Sequence, residues 1–208
     1  MQVDLQDIGK RFNQGWIFRN ICASFKSDEH VVITGANGSG KSTLLQIIFG
    51  SLTASEGKVL YEVENQKLDY ERMIHQVTIC APYLQLIEEF TLKECIEFQR
   101  KAIPFRGGLT TVQIMDLIEL TKHGNKQLKS FSSGMKQRVK LALAILADVP
   151  LVLLDEPATS LDTKAINWYA NLVEQHCQNR LFIVCSNSAG EEFPFCTEAL
   201  NLTHFKCG

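Results

Sequence analysis

The chain has 208 residues, enough to bury roughly 70–75% of the surface it exposes when unfolded. Apolar residues make up 45% and charged residues 21%, which excludes a disordered chain. With 21 Lys and Arg against 23 Asp and Glu, the net charge of −2 provides no overall basic field for a nucleic acid, and no nucleic-acid partner is expected.

No apolar run approaches the ~20 residues needed to cross a bilayer. The start, Met1-Gln2-Val3-Asp4, lacks the pattern of a signal peptide. The seven cysteines are an odd number, sit far apart and form no CxxC, and His176-Cys177 has no partner pair, so they read as thiols in a reducing cytosol. Neither a Pro/Gly/Ser-rich linker nor a repeat divides the chain, and one domain over residues 1–208 is expected.

In chain order, Ile21 to Lys26 alternates with period 2 and predicts a half-buried strand. Val31-Val32-Ile33 predicts a buried strand entering a turn at Gly35. Leu44 to Phe49 predicts a helix stopped by Gly50, and Val59 to Val63 another strand. Thr91 to Lys101, Thr111 to Lys122 and Ser133 to Ala147 have helical spacing. In the second of these, Ile114, Leu117, Ile118 and Thr121 share a face, and His123-Gly124 supplies a stop. Leu151 to Leu154 predicts a short apolar strand, Asp162 to Cys177 a helix and Leu181 to Cys185 a last buried strand. Strands alternating with helices favour an α/β fold with a parallel sheet, in which residues from about 86 to 147 form an inserted helical subdomain.

Gly35-Ala36-Asn37-Gly38-Ser39-Gly40-Lys41-Ser42 matches GxxxxGK[ST], between a strand and a helix. Glycines let such a loop curl its N–H groups toward phosphate oxygens, and the helix that follows adds its positive end. Gly35, Asn37, Gly38, Ser39, Gly40, Lys41, Ser42 and Thr43 are therefore candidate contacts for the phosphates of a nucleotide, with Lys41 directed at the β- and γ-phosphates and Ser42 at Mg²⁺. Leu151-Val152-Leu153-Leu154-Asp155-Glu156 is an apolar strand that ends in two carboxylates. Asp155 suits the hydration shell of Mg²⁺, and Glu156 suits polarisation of the attacking water.

Phe131-Ser132-Ser133-Gly134-Met135-Lys136-Gln137-Arg138 resembles the LSGGQ signature of ATP-binding-cassette (ABC) ATPases, matching at Ser132 and Gly134. Ser132 suits an N-cap, and the helix start it caps is a second anion site. Pro157-Ala158-Thr159-Ser160-Leu161-Asp162 resembles the family's D-loop. The resemblance spans essentially the whole chain. It implies an α/β P-loop NTPase core with a parallel sheet, an N-terminal antiparallel β subdomain and an inserted α-helical subdomain. It also implies that Ser132, Gly134 and Asp162 contact ATP held by a second cassette, in a head-to-tail homodimer or ABC heterodimer.

The family's adenine-stacking aromatic falls at Phe12, with Trp16 and Phe18 as competitors. Two positions depart from the family pattern. Counting back from Thr91, the Q-loop glutamine is replaced by Pro82, and Gln85, three residues later, is the candidate amide for Mg²⁺ in its place. The switch histidine is replaced by Asn187, which can donate a hydrogen bond but carries no charge. The function implied is the ATPase subunit of an ABC transporter, peripheral on the cytoplasmic face of the membrane and powering a separate membrane subunit. The alternative is a slow or non-hydrolysing ATP-dependent switch. Only 90 residues separate Lys41 from Phe131, which leaves no room for the long coiled coil of chromosome-type ABC ATPases.

Overall fold

The computed structural model describes residues 1–13, 15–186, 193 and 195–205. Strands β1 (Gln2–Phe12) and β2 (Gly15–Lys26) form an antiparallel hairpin. Strand β3 (His30–Thr34) then leads into helix α1 (Lys41–Phe49). Next come β4 (Glu56–Val63), β5 (Gln66–Leu68), the single-turn α2 (Tyr70–Met73) and β6 (Val77–Cys80). Helices α3 (Leu92–Ala102), α4 (Thr111–Leu117) and α5 (Ser133–Ile145) lie between β6 and β7 (Leu151–Asp155). The chain continues through α6 (Thr163–His176), β8 (Leu181–Cys185) and β9 (Glu198–Asn201).

Two sheets result. The antiparallel sheet has the order β2-β1-β4-β5, and the parallel sheet the order β6-β7-β8-β3-β9. Successive side chains on a strand face opposite sides. Val31, Ile33, Leu151, Leu153, Leu181, Ile183 and Cys185 therefore share a core with α1 and the antiparallel sheet. Val32, Val152, Leu154, Phe182 and Val184 face the other core, built with α3 to α6. This is why the central strands are apolar throughout rather than alternating. The same parity puts Asp155 on the α1 side.

The predicted helix Thr111–Lys122 is shorter than its periodicity suggested. It starts from a Thr110 capping box with Gln113 and ends at Leu117. Glu119 is left-handed, with φ 58°, and turns the chain into a 3-10 turn at Thr121–His123. Ile114 and Ile118 still reach the core, so the apolar stripe was set by packing across the turn rather than by one continuous helix.

A buried arginine closes the base of the helical insertion. Arg180 is 2% exposed. Its guanidinium donates to the carbonyls of Val149 (2.8 Å), Ile145 (2.6 Å), Ala147 (3.0 Å) and His176 (3.2 Å), and lies 5.1 Å from the centre of the Phe182 ring. It thus satisfies end carbonyls of α5 and α6 where the chain re-enters the sheet, a position that suits a cation at helix C-termini. Arg180→Met leaves Val149 O and Ile145 O without this donor, whereas Ala147 O keeps the Val149 N–H and His176 O keeps Arg106. At about 1 kcal/mol or more for each of the two, the expected loss is on the order of 2 kcal/mol or more, read from urea denaturation. Arg180→Lys is expected to recover less than half, because one ammonium cannot reach all four.

Candidate nucleotide-binding site

The loop from Gly35 to Gly40 joins the carboxyl end of β3 to α1. Gly35 (φ 150°), Gly38 (φ 73°) and Gly40 (φ 96°) all have positive φ. Gly40 has a second constraint: a Cβ there would lie 2.5 Å from Ile17 Cγ2 and 2.9 Å from the Phe18 ring. The first turn of α1 has no side-chain cap and no acidic residue, so its N–H groups are available to an anion. Lys41 is 6% exposed, and its Nζ donates to Gly35 O (2.9 Å) and Ala36 O (3.3 Å). Asn37, Gly38, Gly40, Lys41, Ser42 and Thr43 line a cleft of about 320 Å³ together with Ile17 and Glu156. Ser39 instead points inward, its buried Oγ lacking a hydrogen-bond partner.

Asp155 comes to this cleft from below. It is 1% exposed and lies near the Ser42 side chain. Its Oδ1 is buried without a hydrogen-bond partner. Burial pushes its pKa up; the Ser42 hydroxyl opposes this, the Glu156 charge adds to it and Lys41 opposes it. A buried carboxylate with an open oxygen, beside a serine hydroxyl, is a donor set suited to a hard cation such as Mg²⁺. Glu156 follows in a left-handed conformation (φ 46°), its N–H bonded to Cys185 O at 2.9 Å. That kink brings its side chain to the cleft, where Thr159 Oγ1 donates to Oε2 at 3.5 Å.

Beside the cleft lies a second recess, of about 510 Å³, lined by Phe12, Asn13, Gly15, Trp16 and Ile17. Ile17 is common to both. Among the three aromatic candidates, Phe18 is fully buried and serves the core. Trp16 has Arg19 4.2 Å and Arg11 5.7 Å from its ring centre, and Arg19 is held in turn by Glu56 at 2.8 Å. Phe12 is half exposed, with Lys10 Nζ 5.0 Å from its ring centre.

The other sequence candidates lie elsewhere. Ser132 caps α5 by accepting from Met135 N–H at 3.2 Å. Gly134 lies against the D-loop-like segment, where a Cβ would come within 3.2 Å of Ser160 O. Asp162 caps α6, accepting from Ala165 N–H at 2.8 Å. None of the three lines the cleft of its own chain. Gln85 is exposed and lines a groove with Ser133, Lys136 and Lys140, so the structure does not bring it to Ser42 or Asp155. The reason is a tight turn, Leu84 N–H to Ala81 O at 3.2 Å, which carries the chain past the site. Asn187 lies outside the described residues. The six described cysteines are all free, in keeping with the expected thiols.

Fold and site together define a P-loop nucleotide-binding protein. The family model for ABC transporters matches residues 18–159. The chain belongs to the ABC transporter ATP-binding family. Among curated proteins it is similar to the glutamate/aspartate import ATP-binding protein GltL of Escherichia coli, with 29% identity over 79% of this chain and 71% of that one. It is also similar to the putative hemin import ATP-binding protein HrtA of Staphylococcus aureus, with 28% identity over 88% of each chain. Of solved structures, a putative ABC transporter ATP-binding protein from Pyrococcus furiosus superposes over all of both chains, with TM-score 0.82 and 17% identity. A dimeric ATP-binding cassette in a post-hydrolysis state with ADP and Pi superposes with TM-score 0.80 and 24% identity, over 96% of this chain and 93% of that one. The protein is an ATP-hydrolysing subunit of a transporter.

The contact at Gly40 yields a direct test. Gly40→Ala forces a side chain against Ile17 and Phe18 in a left-handed backbone. We expect a loss of about 1–3 kcal/mol in thermal or urea stability, together with weakened ATP binding by calorimetric titration. Gly38→Ala has the same backbone constraint but open space around it, and should cost less.

Proposed function

We propose that the chain binds Mg-ATP in the cleft at α1 and hydrolyses it within a head-to-tail dimer of cassettes, a homodimer or an ABC heterodimer. The dimer sits on the cytoplasmic face of a membrane and drives a separate membrane subunit. The observation that carries this reading is the open Oδ1 of buried Asp155 beside Ser42 and Lys41. A magnesium ion held by Ser42 and Asp155 would supply the positive charge that this carboxylate lacks, and would neutralise phosphate charge during hydrolysis. The phosphate-loop N–H groups and Lys41 bind the phosphates, and Phe12 stacks on the adenine. Glu156, placed at the rim by its left-handed backbone, accepts the proton of the attacking water.

Ser132, Gly134 and Asp162 lie outside the chain's own cleft, which supports their action across the dimer. Asn187 is assigned to the γ-phosphate from its sequence position alone. Among the described residues no helix is long and apolar enough to cross a membrane, in keeping with a transport path formed by another chain. The slow-switch reading is favoured by one observation, the absence of an amide at Pro82; turnover measured with and without the membrane subunit separates the two.

Two variants test the chemistry. Lys41→Ala removes charge-assisted bonds worth about 1.5–3 kcal/mol each, so ATP affinity should fall by about 10-fold or more in a titration. Glu156→Gln keeps the shape and removes the base. Turnover should fall by about 10²–10⁴-fold while ATP still binds, and a dimer should accumulate in size-exclusion chromatography with Mg-ATP. Hydrolysis at the wild-type rate would refute the role of Glu156.

A further inference from the structure

The signature-like segment contains a glutamine that the proposed reaction leaves unused. Gln137 is 8% exposed, and its Nε2 donates to Pro157 O at 2.9 Å. Pro157 is itself buried and directly follows Glu156. The backbone at Glu156 is left-handed (φ 46°), a conformation that a non-glycine residue keeps only where its surroundings hold it. On the near side, Glu156 N–H donates to Cys185 O at 2.9 Å, and Glu156 O accepts from Thr159 N–H at 3.1 Å. On the far side, the Pro157 ring fixes its own φ. Gln137 resists the rotation that remains, because swinging the Pro157 carbonyl away would strand a buried acceptor. Gln137 stands at i+3 from Gly134 on α5, and Gly134 lies against Ser160 O. The first turn of α5 thus meets the segment from Pro157 to Ser160 at two points on one face.

We infer that Gln137 is a positioning residue for Glu156, its amide holding the Pro157 carbonyl and, through it, the kink that brings the carboxylate to the cleft. The inference rests on the reading of Glu156 as the base. The amide acts here as a donor, and a methionine of similar length and volume fills its space without one. Misplacing a catalytic group by about 1 Å costs up to 10²-fold in rate, so a tie of this kind bears on turnover rather than on nucleotide affinity. The phosphate loop, which carries the affinity, lies on the other side of β7 from this contact and does not depend on it. Gln137 also sits on the helix whose start the proposed dimer presents to the partner's nucleotide, and the experiment below separates that role from the positioning of Glu156.

Turnover in Mg-ATP is measured with the full chain for wild type, Gln137→Met, Glu156→Gln and the double variant, a cycle that isolates the coupling between the two residues. For Gln137→Met, kcat should fall about 2- to 10-fold, the size of one hydrogen bond, with KM for ATP little changed and calorimetric ATP affinity as in wild type. In the Glu156→Gln background the same substitution should leave the residual turnover unchanged, because no base remains to be positioned. The Mg-ATP dimer should still accumulate there in size-exclusion chromatography. Gln137→Asn keeps the amide one methylene short of the carbonyl and should behave as Gln137→Met; it serves as the second variant where methionine disturbs the helix. Equal falls in kcat in both backgrounds would mean that Gln137 supports the helix and not Glu156, and the inference fails. Loss of the dimer in the double variant would assign Gln137 to the contact between cassettes and overturn it as well. A wild-type kcat in Gln137→Met overturns it while leaving the base assignment intact. If Glu156→Gln itself hydrolyses ATP at the wild-type rate, the base assignment fails and this inference falls with it.

Discussion

The register of three buried strands governs the site. Ile33 of β3 pairs with Cys185 of β8, and Cys185 with Asp155 of β7. All three strands run parallel, so their carboxyl ends leave the sheet at one edge. The phosphate loop, the acidic pair and Ser186 emerge there side by side, where open α/β sheets generally hold their ligands. A slip of one residue in β7 would move Asp155 by about 3.3 Å and turn its side chain away from α1. The apolar residues that prevent the slip are the alternate pairs Leu151 and Leu153 on one face and Val152 and Leu154 on the other. Packing on both sides of the sheet thus enforces the chemistry at its edge.

That chemistry is electrostatically incomplete in the chain alone. Asp155 is buried and faces Glu156, with Lys41 as the cation that opposes its raised pKa. Lys41 itself is shared with the loop carbonyls of Gly35 and Ala36. The α1 N-terminus adds further positive potential with no side-chain acceptor. A phosphate chain with a divalent cation complements both features at once: the anion meets the helix and the lysine, and the cation meets the open carboxylate oxygen. Binding energy is thereby tied to a carboxylate oxygen that the fold buries without a hydrogen-bond partner.

Much of this was legible in the residues. Glycine spacing before Lys41 identified the loop because left-handed backbone needs it, and Leu151 to Asp155 identified the acidic strand end because a strand buried on both faces is apolar throughout. Other parts were not. The long strand β1 mixes Asp4, Gln6, Asp7 and Lys10 with apolar residues, and register shifts break its alternation. Helix α4 ends early because of a backbone reversal at Glu119, a residue type that gives no stop signal. Gln85 drew attention as an amide near the right position, whereas the turn that excludes it depends on Lys140, more than fifty residues away in sequence. Arg180 follows the same rule, since its four acceptors come from segments distant along the chain or at a helix end.

The close approach at Gly40 has a consequence for how the chain tolerates change. The loop that meets the nucleotide touches Ile17 and Phe18 with no space for a methyl group, and those residues belong to the antiparallel sheet. Ile17 also borders the recess beside Phe12, so one β-strand supports the phosphate end and the base end of the site together. Drift in the packing of that sheet would therefore register first as lost nucleotide affinity, well before the parallel core gave way. Substitutions at Ile17 and Phe18 of β2 that look conservative by volume therefore act on ligand binding as well as on folding.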